Sequence, residues 1–296
     1  MNDRIYDFAV IGAGPAGCFA ALELLKRGKT VLVFEKEAEG HRKVCGDGVS
    51  KECVALLEKT GFPKEEFERC GAAIIKDRIV IDENNIKHTV KYAENDHPYG
   101  LSRGFTNKIF QDYLKKCGVE IIYNRRVQRI EKTGSGYMAE GFYFRDYIIA
   151  GGVLARQPES NLYIHTPKDN PIGISMIIRA KTNHTPFFLF DYNPEYRGTY
   201  GWIFKIEGEL WNVGLWLRED HEKLKYLFSD FVKNRVGEYF PQGYEIVTSP
   251  KSAFLATHGD RAEKCIGDAA GSCSYENGEG IRQAILSAVE YVSAIK

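Results

Sequence analysis

Residues 5–11 (IYDFAVI) form an apolar run that ends in glycines, which predicts a buried parallel strand. Residues 15–27 have helical composition, with Pro15 near a first-turn position and Gly28 as a stop signal. Residues 30–34 (TVLVF) are β-branched and apolar, so strand, helix and strand follow one another within roughly 30 residues as a βαβ unit. The pattern then changes. Residues 72–93 alternate in the manner of strands around a polar Glu83-Asn84-Asn85 turn, after which a helix is predicted at 107–116 and strands at 119–123 and 147–150. Residues 173–217 are rich in Ile, Phe, Tyr and Trp, have turns at 193–198 and 207–209, and read as a mostly antiparallel sheet. An amphipathic helix over 222–235, a strand at 264–266 and a helix over 280–295 complete the chain.

The α/β signals fall in three separated pieces with β-rich insertions between them. The predicted architecture is α/β: a Rossmann-like nucleotide-binding domain made of residues 1–71, 98–155 and 255–296, with an inserted, mostly antiparallel β-sheet substrate domain made of 72–97 and 156–254. No internal repeat interrupts this reading.

The 296 residues exceed one mononucleotide-binding fold of roughly 150 residues, which agrees with a second domain. Forty basic residues balance forty acidic ones, and this neutrality argues against a nucleic-acid partner, which calls for clustered Lys and Arg. The seven cysteines are odd in number and scattered without a C-x-x-C pair, so neither a disulfide framework nor a metal site is predicted, and a reducing cytoplasm fits. The longest uncharged stretch, residues 8–22, is broken by glycines and is shorter than the ~20 residues a span needs. Membrane contact is therefore expected to be peripheral at most.

Gly12-Ala13-Gly14-Pro15-Ala16-Gly17 follows a predicted strand and opens a predicted helix. The first glycine suits the tight turn, the second lets backbone approach a pyrophosphate, and the third lets helix and strand pack. Glu35, followed by Lys36, ends the next strand, where its carboxylate is placed to accept hydrogen bonds from ribose hydroxyls. A second motif, Gly267-Asp268-Ala269-Ala270-Gly271, brings an acid that can accept from a polyol chain. FAD has a ribityl chain and NAD has none, so the two motifs together point to FAD. Either string also occurs at turns that hold no ligand.

With these motifs the chain resembles the geranylgeranyl reductase family of FAD-dependent oxidoreductases, within the group sharing the para-hydroxybenzoate hydroxylase fold. The more specific matches are Cys45-Gly46-Asp47-Gly48-Val49-Ser50, then Tyr200-Gly201-Trp202-Ile203-Phe204 followed by Asn212-Val213-Gly214, and the Gly-Asp motif followed by Gly278-Glu279-Gly280-Ile281. Four features depart from the family pattern. Lys205 and Tyr275 stand where prolines are usual, Gly151 stands where an acid is usual, and few residues follow Gly271, as expected of a short form without the usual C-terminal region.

The resemblance implies reduction of carbon–carbon double bonds in an isoprenoid or similarly apolar substrate by hydride from reduced flavin. The electron donor would be NADPH or a reduced carrier protein. In the family the loop holding Cys45 and Gly46 approaches the flavin, which makes Cys45 a candidate proton donor, although a free cysteine often simply fills a gap. Tyr200, Trp202 and Phe204 alternate and so share one strand face, either as plain core or as a wall for the substrate, with Tyr200 also a catalytic candidate. Arg103 matches a family position near FAD, and the turn at Gly278 and Gly280 before Ile281 offers backbone N–H groups to the flavin's pyrimidine end. His41, Arg42 and Lys43 form a basic cluster suited to a phosphate, an acidic donor protein or plain solvation. Two other functions remain open on this sequence: a flavin-dependent monooxygenase, because the fold does not fix the reaction, and a non-catalytic flavin-binding protein.

Overall fold

Residues 4–155, 170–218, 221–257 and 263–295 are described by a computed structural model. The first part of the chain forms strand β1 (Ile5–Ile11), helix α1 (Pro15–Lys26), β2 (Val31–Phe34), β3 (Gly48–Val49), α2 (Lys51–Lys59), α3 (Glu65–Arg69), β4 (Ala73–Ile74), β5 (Asp77–Ile81) and β6 (Lys87–Lys91). Then come β7 (Tyr99–Gly100), α4 (Arg103–Lys116), β8 (Glu120–Ile122), β9 (Glu131–Thr133), β10 (Gly136–Ala139) and β11 (Phe142–Ile149). The remainder holds β12 (Ile172–Arg179), β13 (Phe187–Asp191), β14 (Gly201–Lys205), β15 (Leu210–Leu217), α5 (Leu224–Phe231), α6 (Gly237–Tyr239), β16 (Glu245–Ile246), β17 (Lys251–Phe254) and α7 (Ile281–Ala294).

One sheet has the order β8-β2-β1-β11-β10-β9. Its core pairs, β1 with β2 and β1 with β11, are parallel, as befits strands covered on both faces. On one face α1 packs against α7, where the small residues Ala16, Ala20, Ala284 and Ala288 are buried in the core. The helix α1 ends where Gly28 takes a left-handed conformation and its N–H reaches the Leu25 carbonyl.

The second sheet has the order β16-β12-β15-β14-β13-β5-β6, with β17 also paired to β12. It is antiparallel except between β13 and β5. Its two faces follow the period of two. Phe187, Leu189, Ile203, Trp211, Val213 and Leu215 point to one face and are packed with residues of α5. Phe188, Trp202, Phe204 and Trp216 point to the other and join Ile75 in a separate aromatic cluster. The outer strand β6 (KHTVK) is exposed and charged, a common defence of an open edge.

The differences from the sequence reading have local causes. Helix α4 starts at Arg103 rather than 107, after an extended Ser102. The strand expected at 147–150 is the end of the longer β11, because Arg145 and Asp146 sit at partly exposed positions that interrupt the apolar run. The hairpin β9–β10, with Lys132 and Glu131, and the two short helices α2 and α3, which bury few side chains, are absent from the sequence reading. The helix over 222–235 is shorter in regular form, since Val232–Val236 widens into a π-helical turn. The strand expected at 264–266 is reduced to one bridge between Ile149 and Cys265. Within the expected substrate domain, residues 156–169 and 219–220 lie outside the described residues, as do 258–262 and 296 of the last nucleotide-binding piece.

Candidate functional site

The glycine loop between β1 and α1 is fixed by backbone contact. Gly12 has φ of 112°, and a Cβ there would lie 2.4 Å from the Ala150 carbonyl oxygen. A Cβ on Gly17 would lie 1.8 Å from the Gly12 carbonyl oxygen. Gly14 differs, because a Cβ there would meet nothing within 4 Å. It is the N-cap of α1 with extended backbone and no side-chain cap, and Pro15 follows it in the first turn. The fold needs glycine at 12 and 17; the open side of Gly14 faces nothing in the protein.

Glu35 holds this loop from the end of β2, accepting from the Ala13 N–H at 2.7 Å and from the Glu37 N–H at 3.0 Å. Gln111 on α4, absent from the sequence reading, holds it from the other side: its amide donates to the Ala13 carbonyl at 2.9 Å and accepts from the Gly40 N–H at 3.2 Å. The signal available for it was a polar residue directly after Ile109 and Phe110 in the predicted helix. Lys36 lies apart, 3.8 Å from Glu37 on the surface.

Gly267 packs onto the fingerprint helix, with a Cβ there falling 2.6 Å from the Ala16 Cβ. The next residue, Asp268, is ion-paired with Lys43. Arg42 donates to Asp47 at 3.2 Å. The basic cluster is therefore tied inward through Arg42 and Lys43, while the His41 carbonyl accepts from Asn107 at 2.9 Å. Arg103 is buried, and its guanidinium donates to the Asn107 side-chain oxygen.

The Cys45–Gly48 stretch lies on the aromatic face of the second sheet. A Cβ on Gly46 would be 3.4 Å from the Phe204 ring and 3.5 Å from the Trp202 indole, and one on Gly48 would be 3.2 Å from the Phe188 ring. Trp202 and Phe204 are thus buried beneath this loop, so the stripe expected on one face is a wall that the loop covers. Tyr200, half-buried at its end, donates to the Asn277 carbonyl at 2.7 Å. Gly278 abuts Trp216 and Leu255, Gly280 precedes α7 beside Cys273, and Ile281 begins that helix in the core. Lys205 points away: its ammonium donates to the carbonyls of Ile206, Gly208 and Leu210 and so ties its own hairpin turn.

Asp47 is the buried acid of the site, and the sequence marks it only as part of the Cys45–Ser50 motif. It is fully buried with φ of 62°, accepting from the Arg103 N–H at 2.9 Å, from Asn212 at 2.7 Å and from Arg42. Burial raises its carboxyl to about 6, against the opposing pull of Arg42, Asn212 and the Arg103 N–H. Burial first, and then the Asp47 carboxylate, push the Cys45 thiol up, which keeps it protonated at neutral pH. Burial likewise raises the Tyr200 hydroxyl.

These residues fit a dinucleotide with a polyol linker. Gly14 leaves backbone approachable at an uncapped helix N-terminus, the arrangement that accepts phosphate. Arg42 Nε and Ser272 Oγ, flanking the Lys43–Asp268 pair in sequence, are buried without a hydrogen-bond partner, as expected where a polar ligand supplies one. Among the described residues no cluster of His, Cys, Asp and Glu is arranged to hold a metal, and no helix is long and apolar enough to cross a membrane.

Comparison with known proteins agrees. An FAD binding domain family matches residues 6–145. The digeranylgeranylglycerophospholipid reductase of Methanocaldococcus jannaschii is 28% identical, with the alignment covering 95% of this chain and 74% of that protein. The solved geranylgeranyl bacteriochlorophyll reductase-like protein of Thermoplasma acidophilum superposes with a TM-score of 0.80 at 20% identity, covering 98% of this chain and 77% of the other. The flavin-dependent brominase Bmp2 shares the fold with a TM-score of 0.75 at 16% identity, covering 99% and 81%. With two glycine motifs, the Cys45 loop and an aromatic strand pair in this order, the chain carries an FAD binding domain and is similar to reductases of the geranylgeranyl reductase type.

Proposed function

We propose that the protein reduces carbon–carbon double bonds of an isoprenoid or similarly apolar substrate. The observation that carries this reading is the aromatic wall of Trp202, Phe204 and Phe188 lying directly against the Cys45–Gly48 loop. FAD bound in its two-electron-reduced form would supply the hydride for one alkene carbon and be left oxidised. The other carbon needs a proton, and the raised Cys45 thiol is a protonated donor beside an apolar surface that excludes water.

In this reading Gly12, Gly14, Pro15, Ala16 and Gly17 bind the pyrophosphate with the N-terminus of α1, and Glu35 with Lys36 lies at the adenosine ribose. Gly267 and Asp268 meet the ribityl chain, with Lys43 neutralising Asp268. Arg103 supports the Cys45 loop from α4, and the turn of Gly278, Gly280 and Ile281 presents N–H groups to the flavin ring. Tyr200 closes the wall and fixes that turn through Asn277. The two sheets divide the work, the first with the nucleotide and the second with the substrate. An electron donor, NADPH or a reduced carrier, completes the cycle.

The test is anaerobic mixing of reduced holoprotein with a geranylgeranyl lipid. The expected result is flavin reoxidation with a gain of two mass units per reduced bond, slowed in Cys45→Ala and Cys45→Ser, both of which keep FAD. Oxygen-dependent insertion of an oxygen atom would replace this reading with a monooxygenase, and a flavin that cycles with neither substrate would leave a binding protein.

A further inference from the structure

Asn212 interrupts the aromatic face of the second sheet. It lies on β15 opposite Phe204, two residues from Gly214, and is fully buried. A buried amide is costly unless its hydrogen-bonding groups are matched. Here they are: the Asn212 oxygen accepts from the Trp202 indole N–H at 2.8 Å, while its nitrogen donates to the Cys45 carbonyl at 2.8 Å and to Asp47 Oδ2 at 2.7 Å. One side chain thus joins the wall to both ends of the Cys45–Asp47 segment.

The segment has reason to need a clamp. Asp47 holds a left-handed conformation that non-glycine residues disfavour. Gly46 and Gly48 flank it and restrain the chain little. Ser175 on β12 adds only a long contact to the Cys45 carbonyl, at 3.4 Å. Gly214 makes the clamp possible, because a Cβ there would lie 2.1 Å from Trp202 Cζ2 and displace the indole that orients the Asn212 amide.

We propose that Asn212 is a positioning residue that fixes the Cys45–Asp47 segment over the aromatic wall, and with it the place of Cys45, by holding the Cys45 carbonyl and the Asp47 carboxylate at once. The proposal rests on the reading that Cys45 lies at the reacting centre, and its test does not use turnover. In the FAD-loaded full-length protein, the rate of Cys45 alkylation by iodoacetamide is followed by peptide mass spectrometry, with the half-buried Cys70 as internal control.

Asn212→Leu removes both donors, so Cys45 alkylation relative to Cys70 should rise about 10–100-fold, the scale of lost hydrogen bonds to buried and charged groups. Asn212→Asp sets a carboxylate against Asp47. Facing Asp47 are Arg42 from its own loop and the Arg103 N–H from α4, with Lys43 and Arg103 also acting on Cys45. At pH 8 the two carboxylates repel and the loop is released; at pH 5 a shared proton restores the bridge. The ratio to wild type at the same pH should therefore be high at pH 8 and fall toward one at pH 5.

A Leu variant that keeps FAD and alkylates at the wild-type ratio overturns the clamp. Where the Leu variant does not fold, an Asp variant with a pH-independent ratio does the same. If Cys45→Ala turns over normally while Asn212→Leu releases the loop, Cys45 leaves the chemistry and the clamp stands.

Discussion

The three fingerprint glycines should separate folding from cofactor binding. At Gly17 a Cβ meets backbone at 1.8 Å, and at Gly12 it meets backbone at 2.4 Å in a left-handed conformation. Neither can be relieved by turning a side chain, so Gly12→Ala and Gly17→Ala should each cost at least the ~1–3 kcal/mol of an overpacked core. For a chain of this size each kcal/mol lowers the melting temperature by about 2–4 °C. Gly14→Val has no clash to relieve, and its φ of −75° suits valine. The poorer N-cap should cost only about 1 kcal/mol. Its effect should appear with FAD, which at a hundredfold excess over Kd stabilises the wild type by ~2.7 kcal/mol. Thermal melts of flavin-stripped and FAD-saturated protein, paired with flavin fluorescence titration, measure both. Gly14→Val should melt within a few degrees of the wild type when stripped and lose the FAD-induced rise. A Gly14→Val variant with the wild-type rise would refute placement of the pyrophosphate at this turn.

Gln111→Ala should weaken FAD binding about 3–10-fold by fluorescence titration, because the Ala13 carbonyl keeps only the weak Cys18 thiol donor and the Gly40 N–H loses its acceptor. Gly214→Ala should lower unfolding free energy by ~1–3 kcal/mol in urea titrations, since the Trp202 ring must move from its place over β15. Asp47→Asn should change the pH dependence of stability. The folded pKa of Asp47, about 6, lies above the ordinary 3.8, so the folded wild type binds the extra proton and its stability from this group falls as pH rises from about 4 to about 6. The variant lacks that fall, so its stability relative to wild type should climb across this window in urea titrations; a flat difference would contradict the raised pKa.

What was legible in the sequence was what repeats a local rule. The βαβ unit shows because β1 is apolar on both faces and its glycines and Pro15 have positional meanings. The stripe of Tyr200, Trp202 and Phe204 shows because a strand has period two. What covers that stripe was not legible, since Gly46 and Gly48 meet it across more than 150 residues of chain. The helices α2 and α3 were missed because each buries little: Cys53, Val54 and Leu57 in one and Phe67 in the other. Lys205 stands where the family has a proline, yet alternation along β14 turns it from Phe204 and toward the hairpin carbonyls. Asn212 was visible as a polar residue between Trp211 and Val213, but its three partners come from β14 and a loop distant in sequence.

The fold shared with a brominase at a TM-score of 0.75 shows that this scaffold does not choose the reaction. The residues that can choose it are those between the sheets. The nucleotide end consists of backbone contacts, glycines and a helix terminus, which would serve any chemistry of the flavin. The other end is specific: a protonated thiol, a buried acid with three donors, and aromatic rings that exclude water. Protonating a carbon beside an apolar chain requires a donor that stays neutral until used. Burial, and then the Asp47 carboxylate, raise the Cys45 thiol above its ordinary value and so reinforce its neutral form. On the proposed role of Cys45, the contacts that keep the Cys45–Gly48 loop on the wall would bear on reaction type as much as on stability, and substitutions there should alter turnover before they alter FAD content.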